Sequence, residues 1–156
     1  MNRIFRKYGM WLIPVFILAA DRITKVLAVN IPPEGETLIP GVLGLRYTRN
    51  TGAAFSILSG HPWLLGVLSF AVIAAAFMIL RKRQLTALTA AGLMMMLGGA
   101  LGNMIDRFFT GYVPDMIEFL FVNFAIFNVA DTFLCVGCAL TAADILFSGD
   151  KGGEKP

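Results

Sequence analysis

Apolar residues fall into four long blocks along the chain. Pro62 to Leu80 runs nineteen residues without a charge, and Leu85 to Ile105 runs twenty-one. Tyr8 to Ala20 is also uncharged, and its apolar pattern carries on through Asp21, Arg22 and Lys25 to Val29. The last block, Val129 to Phe147, is broken by Asp131 near its start and Asp144 near its end. A helix that crosses a bilayer takes about 20 mostly apolar residues. The pattern therefore predicts four transmembrane helices, over about 8–29, 62–80, 85–105 and 129–147.

The stretches between the blocks read differently. Residues 30–61 carry Pro32, Pro33, Gly35, Pro40 and Gly41, and then Leu43, Leu45 and Tyr47 on alternate positions. Proline and glycine punctuation followed by period-two alternation predicts a small β-element lying on the membrane surface. Residues 106–128 are short and apolar and predict an interfacial segment that folds back along the surface. The tail, 148–156, is polar and reads as disordered. No internal repeat or second domain is visible, so 1–156 reads as a single membrane domain: an all-α integral membrane protein with a small extracytoplasmic β-element.

Composition agrees with this class. The chain is 57% hydrophobic and 15% charged, with a mean hydropathy of +0.73. A soluble domain carries about 25% charged residues. The net charge of +3 is too small for a nucleic-acid footprint, and its distribution instead sets orientation. Arg3, Arg6 and Lys7 precede the first span, and Arg81, Lys82 and Arg83 lie between the second and third. Positive clusters stay on the cytoplasmic side. Both termini are then expected in the cytoplasm, with 30–61 and 106–128 outside, against only the scattered Arg46, Arg49 and Arg107. A cleaved signal peptide ending near "LAAD" is the lesser alternative, because the apolar pattern runs on past Ala20. Cys135 and Cys138 lie inside the last block and read as small buried apolar residues rather than as metal ligands or a disulfide.

Polar residues at membrane depth are candidates for function. In this topology Asp21, Lys25, Asn50, Asn103, Asp106, Arg107, Asp115 and Asp131 all gather at the outer face. Gly98 and Gly102 stand four apart and form a groove for a neighbouring helix, with Gly99, Asn103 and Arg107 on an adjacent stripe. Asp21 and Lys25, also four apart, read as an ion pair that lets the first span end at the interface. Asn128 fits an N-cap with Asp131 at the third helical position, where helix N–H groups favour a carboxylate. That local role would suffice for Asp131 alone. A second aspartate, Asp115 in "VPDMIEF", changes the picture, because the apolar segment between them can fold back and bring the two together. Close carboxylates share a proton, so one acts as base while the other acts as acid. Other chemistries lack parts. The single histidine, His61, sits beside Pro62 at a span start. Nothing local activates a Ser56–Lys25 dyad. No phosphate-cradling loop or metal-ligand set is present.

Five blocks also carry a resemblance: "DRITK" (21–25), "RNTGAAFS" (49–56), "GGALGNMIDR" (98–107), "VPDMIEF" (113–119) and "FNVADT" (127–132). Together, and in this order, they resemble the bacterial lipoprotein signal peptidases, signal peptidase II. The resemblance implies a four-helix aspartic endopeptidase of the inner membrane without a cofactor. Its substrates would be prolipoproteins carrying a diacylglyceryl group, cut on the N-terminal side of the modified cysteine, and globomycin-type peptides would inhibit it. It implies Asp115 and Asp131 as the catalytic pair. Asn50, Gly52, Asn103, Arg107, Asn128 and Ala130 would bind substrate, and Asp21, Lys25 and Asp106 would support the site. A monomer in contact with membrane lipid is the expected working form. Pro114 and Glu118, flanking the first aspartate, are small departures from the family pattern. On physical grounds alone, a small ion or proton transporter competes, but it needs polar groups near the bilayer midplane. A structural subunit competes too, but has no use for both aspartates.

Overall fold

The four apolar blocks become four helices. In the computed structural model, which describes residues 9–52, 58–82 and 85–148, they are α1 (Leu12–Ala28), α2 (Pro62–Lys82), α3 (Ala87–Phe109) and α4 (Val129–Ser148). Among the described residues three strands accompany them: β1 (Glu36–Ile39), β2 (Leu43–Asn50) and β3 (Val113–Phe119). Among the described residues, α2, α3 and α4 are long and apolar enough to cross a membrane. At 17 residues α1 is shorter, roughly 26 Å against a hydrocarbon core of about 30 Å. Its faces are reversed from those of a helix in water. Leu12, Val15, Phe16, Ile23, Val26 and Leu27 point outward, while Asp21 and Lys25 are buried.

Helix α3 is central and packs against α1, α2 and α4. Its glycines let α1 and α4 come close. A Cβ on Gly98 would stand 2.9 Å from the Cα of Pro14 in α1. A Cβ on Gly99 would strike the Ala130 carbonyl of α4, and one on Gly102 would come 2.7 Å from a carboxylate oxygen of Asp21. The two small-residue stripes thus receive two different helices. At the opposite end, Thr86 caps α3 by accepting the Thr89 N–H. The Thr86 and Thr89 hydroxyls both donate to Asp144, so the aspartate that interrupts α4 ties it to the start of α3.

The strands form one antiparallel sheet in the order β1-β2-β3. The alternation of Leu43, Leu45 and Tyr47 belongs to β2, as its pattern predicts. The expectation for 106–128 needs correction in two places. Helix α3 continues past Ile105 to Phe109, and Val113–Phe119 is a strand that the pattern did not announce. Strand β3 is an edge, which tolerates Pro114 and its missing N–H. Residues 120–127 then turn back onto β3. Ile117 and Phe127 exchange backbone hydrogen bonds, and the Phe119 and Phe127 rings pack with centroids 5.1 Å apart. This fold-back delivers the start of α4 beside the middle of β3.

Cys135 and Cys138 are free and exposed, not buried as expected. They lie on the outward face of α4, where lipid accepts a small apolar side chain as readily as a core does. Arg3, Arg6, Lys7, Ala53, Ala54, Ser56, Arg83 and the tail from residue 149 on lie outside the described residues.

Candidate active site

Two carboxylates reach the site from different elements. Asp115 comes from β3, where it pairs with Thr48 of β2, and it is 1% exposed. Asp131 comes from the first turn of α4. Asn128 precedes that helix and caps it reciprocally: its side-chain oxygen accepts the Asp131 N–H at 2.9 Å, and its own N–H donates to Asp131 Oδ2 at 3.3 Å.

Three asparagine carboxamides present N–H groups to these carboxylates. Asn50 donates to Asp115 Oδ2 at 2.8 Å, and Asn128 donates to Asp115 Oδ1 at 2.6 Å. Asn103, from α3, donates to Asp131 Oδ1 at 2.7 Å. Each carboxamide is fixed from behind by a group that can only donate. The Gly52 N–H bonds Asn50 Oδ1 at 2.9 Å, the Asp131 N–H bonds Asn128 Oδ1, and Lys25 Nζ bonds Asn103 Oδ1 at 3.0 Å. A carboxamide whose oxygen is taken turns its NH2 the other way.

Burial pushes the Asp115 carboxyl up to about 6, and the neighbouring charge of Asp131 adds to the rise. The hydrogen bonds from Asn50 and Asn128 and the charge of Lys25 oppose it. Asp115 therefore holds a proton more readily than an ordinary aspartic acid, beside a second carboxylate ringed by donors. Such a pair can pass protons in both directions during hydrolysis.

Behind the site lies a buried ion cluster. Lys25 Nζ is 2.7 Å from Asp21 Oδ2 and 2.7 Å from Asp106 Oδ2. Arg22, half-exposed, reaches Asp106 Oδ1 at 2.9 Å. The Ala130 N–H donates to Asp21 Oδ1 at 3.0 Å, which ties α1 to the start of α4. The Asp21–Lys25 pair forms as its spacing predicts, and it is buried. Gly102 has no side chain, so α1 comes close enough for the pair to be sealed between α3 and α4. On the other side of the site, Arg107 Nη2 donates to the Gly52 carbonyl at 3.2 Å. Its Nε is buried without a hydrogen-bond partner among the described residues.

All eleven residues expected in or behind the site thus fall in one connected region spanning α1, β2, α3, β3 and α4. Sequence reading missed others. Arg22 gave no sign of its link to Asp106. A cleft of about 390 Å³ opens beside Asp115, lined by Thr48, Arg49, Asn50, Thr51, Ser59 and residues 123–126. Thr48 could have been found only by recognising β3 and its register. Among the described residues no three His, Cys, Asp or Glu side chains converge as a metal cage requires.

A mostly helical membrane protein with two carboxylates joined through asparagine carboxamides has the makings of a membrane-embedded aspartic peptidase. The family model described as "Signal peptidase (SPase) II" matches residues 13–147, and the chain belongs to that family of aspartic-type endopeptidases. It is 38% identical over 135 residues to a lipoprotein signal peptidase of Streptococcus agalactiae, covering 85% of this chain and 88% of the relative. It is 41% identical over 154 residues to one from Trichormus variabilis, covering 91% and 90%. Among solved structures, a bacterial membrane enzyme determined by the in meso method at 2.3 Å is similar with a TM-score of 0.87 and 30% identity, over 95% of this chain and 93% of that one.

Proposed function

We propose that this enzyme removes signal peptides from diacylglyceryl-modified prolipoproteins at the outer face of the bacterial cytoplasmic membrane. It cuts on the N-terminal side of the lipidated cysteine. Relatives named lipoprotein signal peptidase support the substrate class. The observation that carries the chemistry is the convergence of Asp115 and Asp131 under three oriented asparagine amides.

Asp115 starts with the proton, in line with its raised affinity for one. Asp131 starts ionised, stabilised by Asn103 and the Asn128 N–H. A water between them gives its proton to Asp131 as its oxygen attacks the scissile carbonyl, while Asp115 protonates the carbonyl oxygen. The resulting diol collapses as one of its hydroxyls gives a proton back to Asp115, the C–N bond breaks, and Asp131 passes its proton to the leaving amine. The titration belongs to the pair rather than to either residue. Arg107, with its unpartnered Nε, and Gly52, whose carbonyl it holds, are the groups best suited to grip an extended peptide. Asn50, Asn103, Asn128 and Ala130 line the same region. Asp21, Lys25 and Asp106 brace it.

The reversed faces of α1 support a fourth crossing, since only lipid makes an apolar outer surface with a charged interior favourable. Four crossings with Arg81 and its neighbours inside put both termini in the cytoplasm and the site outside. The acyl chains of the substrate then anchor its cleavage site at the depth of Asp115 and Asp131, and this remote binding helps position the reacting carbonyl. The working unit is one 1–156 domain, a monomer that needs no cofactor and is inhibited by globomycin-type peptides. Purified protein should cleave a diacylglyceryl lipopeptide, and Asp115→Asn and Asp131→Asn should each abolish cleavage while the protein stays folded. Turnover near that of the parent enzyme in either variant removes that residue from the pair.

A further inference from the structure

The ammonium of Lys25 has three protons and three acceptors: Asp21 Oδ2 and Asp106 Oδ2 at 2.7 Å each, and Asn103 Oδ1 at 3.0 Å. Lysine is 2% exposed here and cannot accept a hydrogen bond. The Asn103 atom that meets it must therefore be the oxygen. A carboxamide is planar, so its NH2 then points away from Lys25, and Asp131 Oδ1 lies on that side at 2.7 Å. A reversed Asn103 would set NH2 against NH3+ on one side and oxygen against carboxylate on the other. Asn128 reinforces the choice by donating to the same Asn103 oxygen at 3.3 Å, but it is the weaker contact. Asn50 and Asn128 are locked by backbone N–H groups of their own segments. Asn103 has no such local lock: its orientation comes from a side chain 78 residues away.

We propose that Lys25 is a positioning residue: it fixes the Asn103 carboxamide with its NH2 toward Asp131, and Asp106 keeps that ammonium in place. Lys25 thus acts on the reaction through Asn103 and touches neither substrate nor water. This rests on the reading of Asp131 as one of the reacting pair.

Removing Lys25 alone leaves two buried carboxylates short of a partner. The useful variants are therefore Asp21→Asn/Lys25→Met and Asp21→Asn/Lys25→Leu, which drop one charge of each sign, remove every donor at position 25 and leave Asp106 with Arg22. Asn at position 21 still accepts the Ala130 N–H. Asp21→Asn alone is the control, because it breaks the ion pair but spares the Lys25–Asn103 bond. With a diacylglyceryl lipopeptide, the double variants should lose about tenfold or more in kcat, the worth of one charge-assisted hydrogen bond, with KM unchanged. Asp21→Asn should keep most of kcat. In an Asn103→Ala background the double variants should lose nothing further. Equal losses in Asp21→Asn and the double variants, or losses that multiply with Asn103→Ala, would make Lys25 a charge-balancing residue only and overturn the proposal.

A second arm needs no turnover. In protein labelled with 15N-asparagine, the Asn103 side-chain NH2 is assigned by its disappearance in Asn103→Ala. It should show one proton shifted downfield by its carboxylate partner, and that shift should vanish in either double variant. An unchanged Asn103 resonance overturns the orientation claim even if a double variant is too unstable to assay. Cleavage that survives Asp131→Asn instead defeats the reading of the catalytic pair, and leaves the resonance to decide the orientation.

Discussion

Asn50 joins two jobs in one side chain. Its oxygen closes the turn onto the Gly52 N–H, and its NH2 steadies Asp115. A residue that only closed a turn could be replaced by glycine without loss of activity. Here both Asn50→Ala and Asn50→Gly should lower kcat/KM by roughly one to two orders of magnitude, about 1.5–3 kcal/mol, in a lipopeptide assay. The Asp115 carboxyl adds a pH signature. Burial and the Asp131 charge push it up to about 6, and the proposed hydrolysis needs one proton on the pair, so kcat/KM should fall as pH rises through about 6. Burial raises that value most and the Asp131 charge adds to it, while Asn50, Asn128 and Lys25 hold it down. Asn50 favours the ionised form, so Asn50→Ala should move the falling limb to higher pH. A limb that stays in place, measured on free enzyme at low substrate, would separate Asn50 from Asp115. The Asn128–Asp131 cap was legible in the sequence because it spans three residues of one helix start. The Lys25–Asn103 bond was not, because no local pattern reports which amide a distant ammonium will face.

At the scale of elements, the site depends on how near α4 comes to α3. Gly99 meets the Ala130 carbonyl, one residue before Asp131. A methyl group there has backbone in its way, so α4 must shift at its N-terminus. Gly99→Ala should cost about 1–3 kcal/mol in stability and reduce cleavage more than a core substitution of equal cost elsewhere. Melting curves set beside turnover test this, and a variant that melts early yet cleaves normally would show that the start of α4 can move without harm. Strand β2 was legible because one of its faces meets apolar neighbours, which leaves Leu43, Leu45 and Tyr47 in alternation. Strand β3 hid because Asp115 and Met116 are both buried, on successive positions. A strand covered on both sides loses its period of two. Its hydrogen bonds also go to β2, roughly 70 residues earlier, where no nearby residue announces them.

For the whole molecule, the four apolar blocks mark the helices within a few residues. What they could not convey was that charged Asp21 and Lys25 point inward from α1. A helix of 17 residues with three charges looks marginal as a span until its neighbours hide those charges. If α1 crosses, a cytoplasmic reporter fused after Lys155 should be active, and a reporter that works only outside the cell should be silent there. The reverse result would place the aspartate pair on the wrong side of the membrane for the proposed substrates.

Because residues of α1, β2, α3, β3 and α4 must meet before the pair is complete, the chain carries no fragment of proteolytic power during its own synthesis. Asp131 arrives with the last helix, and its carboxamide partner Asn103 waits on α3 for both Lys25 and that late arrival. A growing chain lies among the very lipidated precursors that its finished form is proposed to cut. On the proposed reading of the pair, the order in which its helices are made serves as the safety catch.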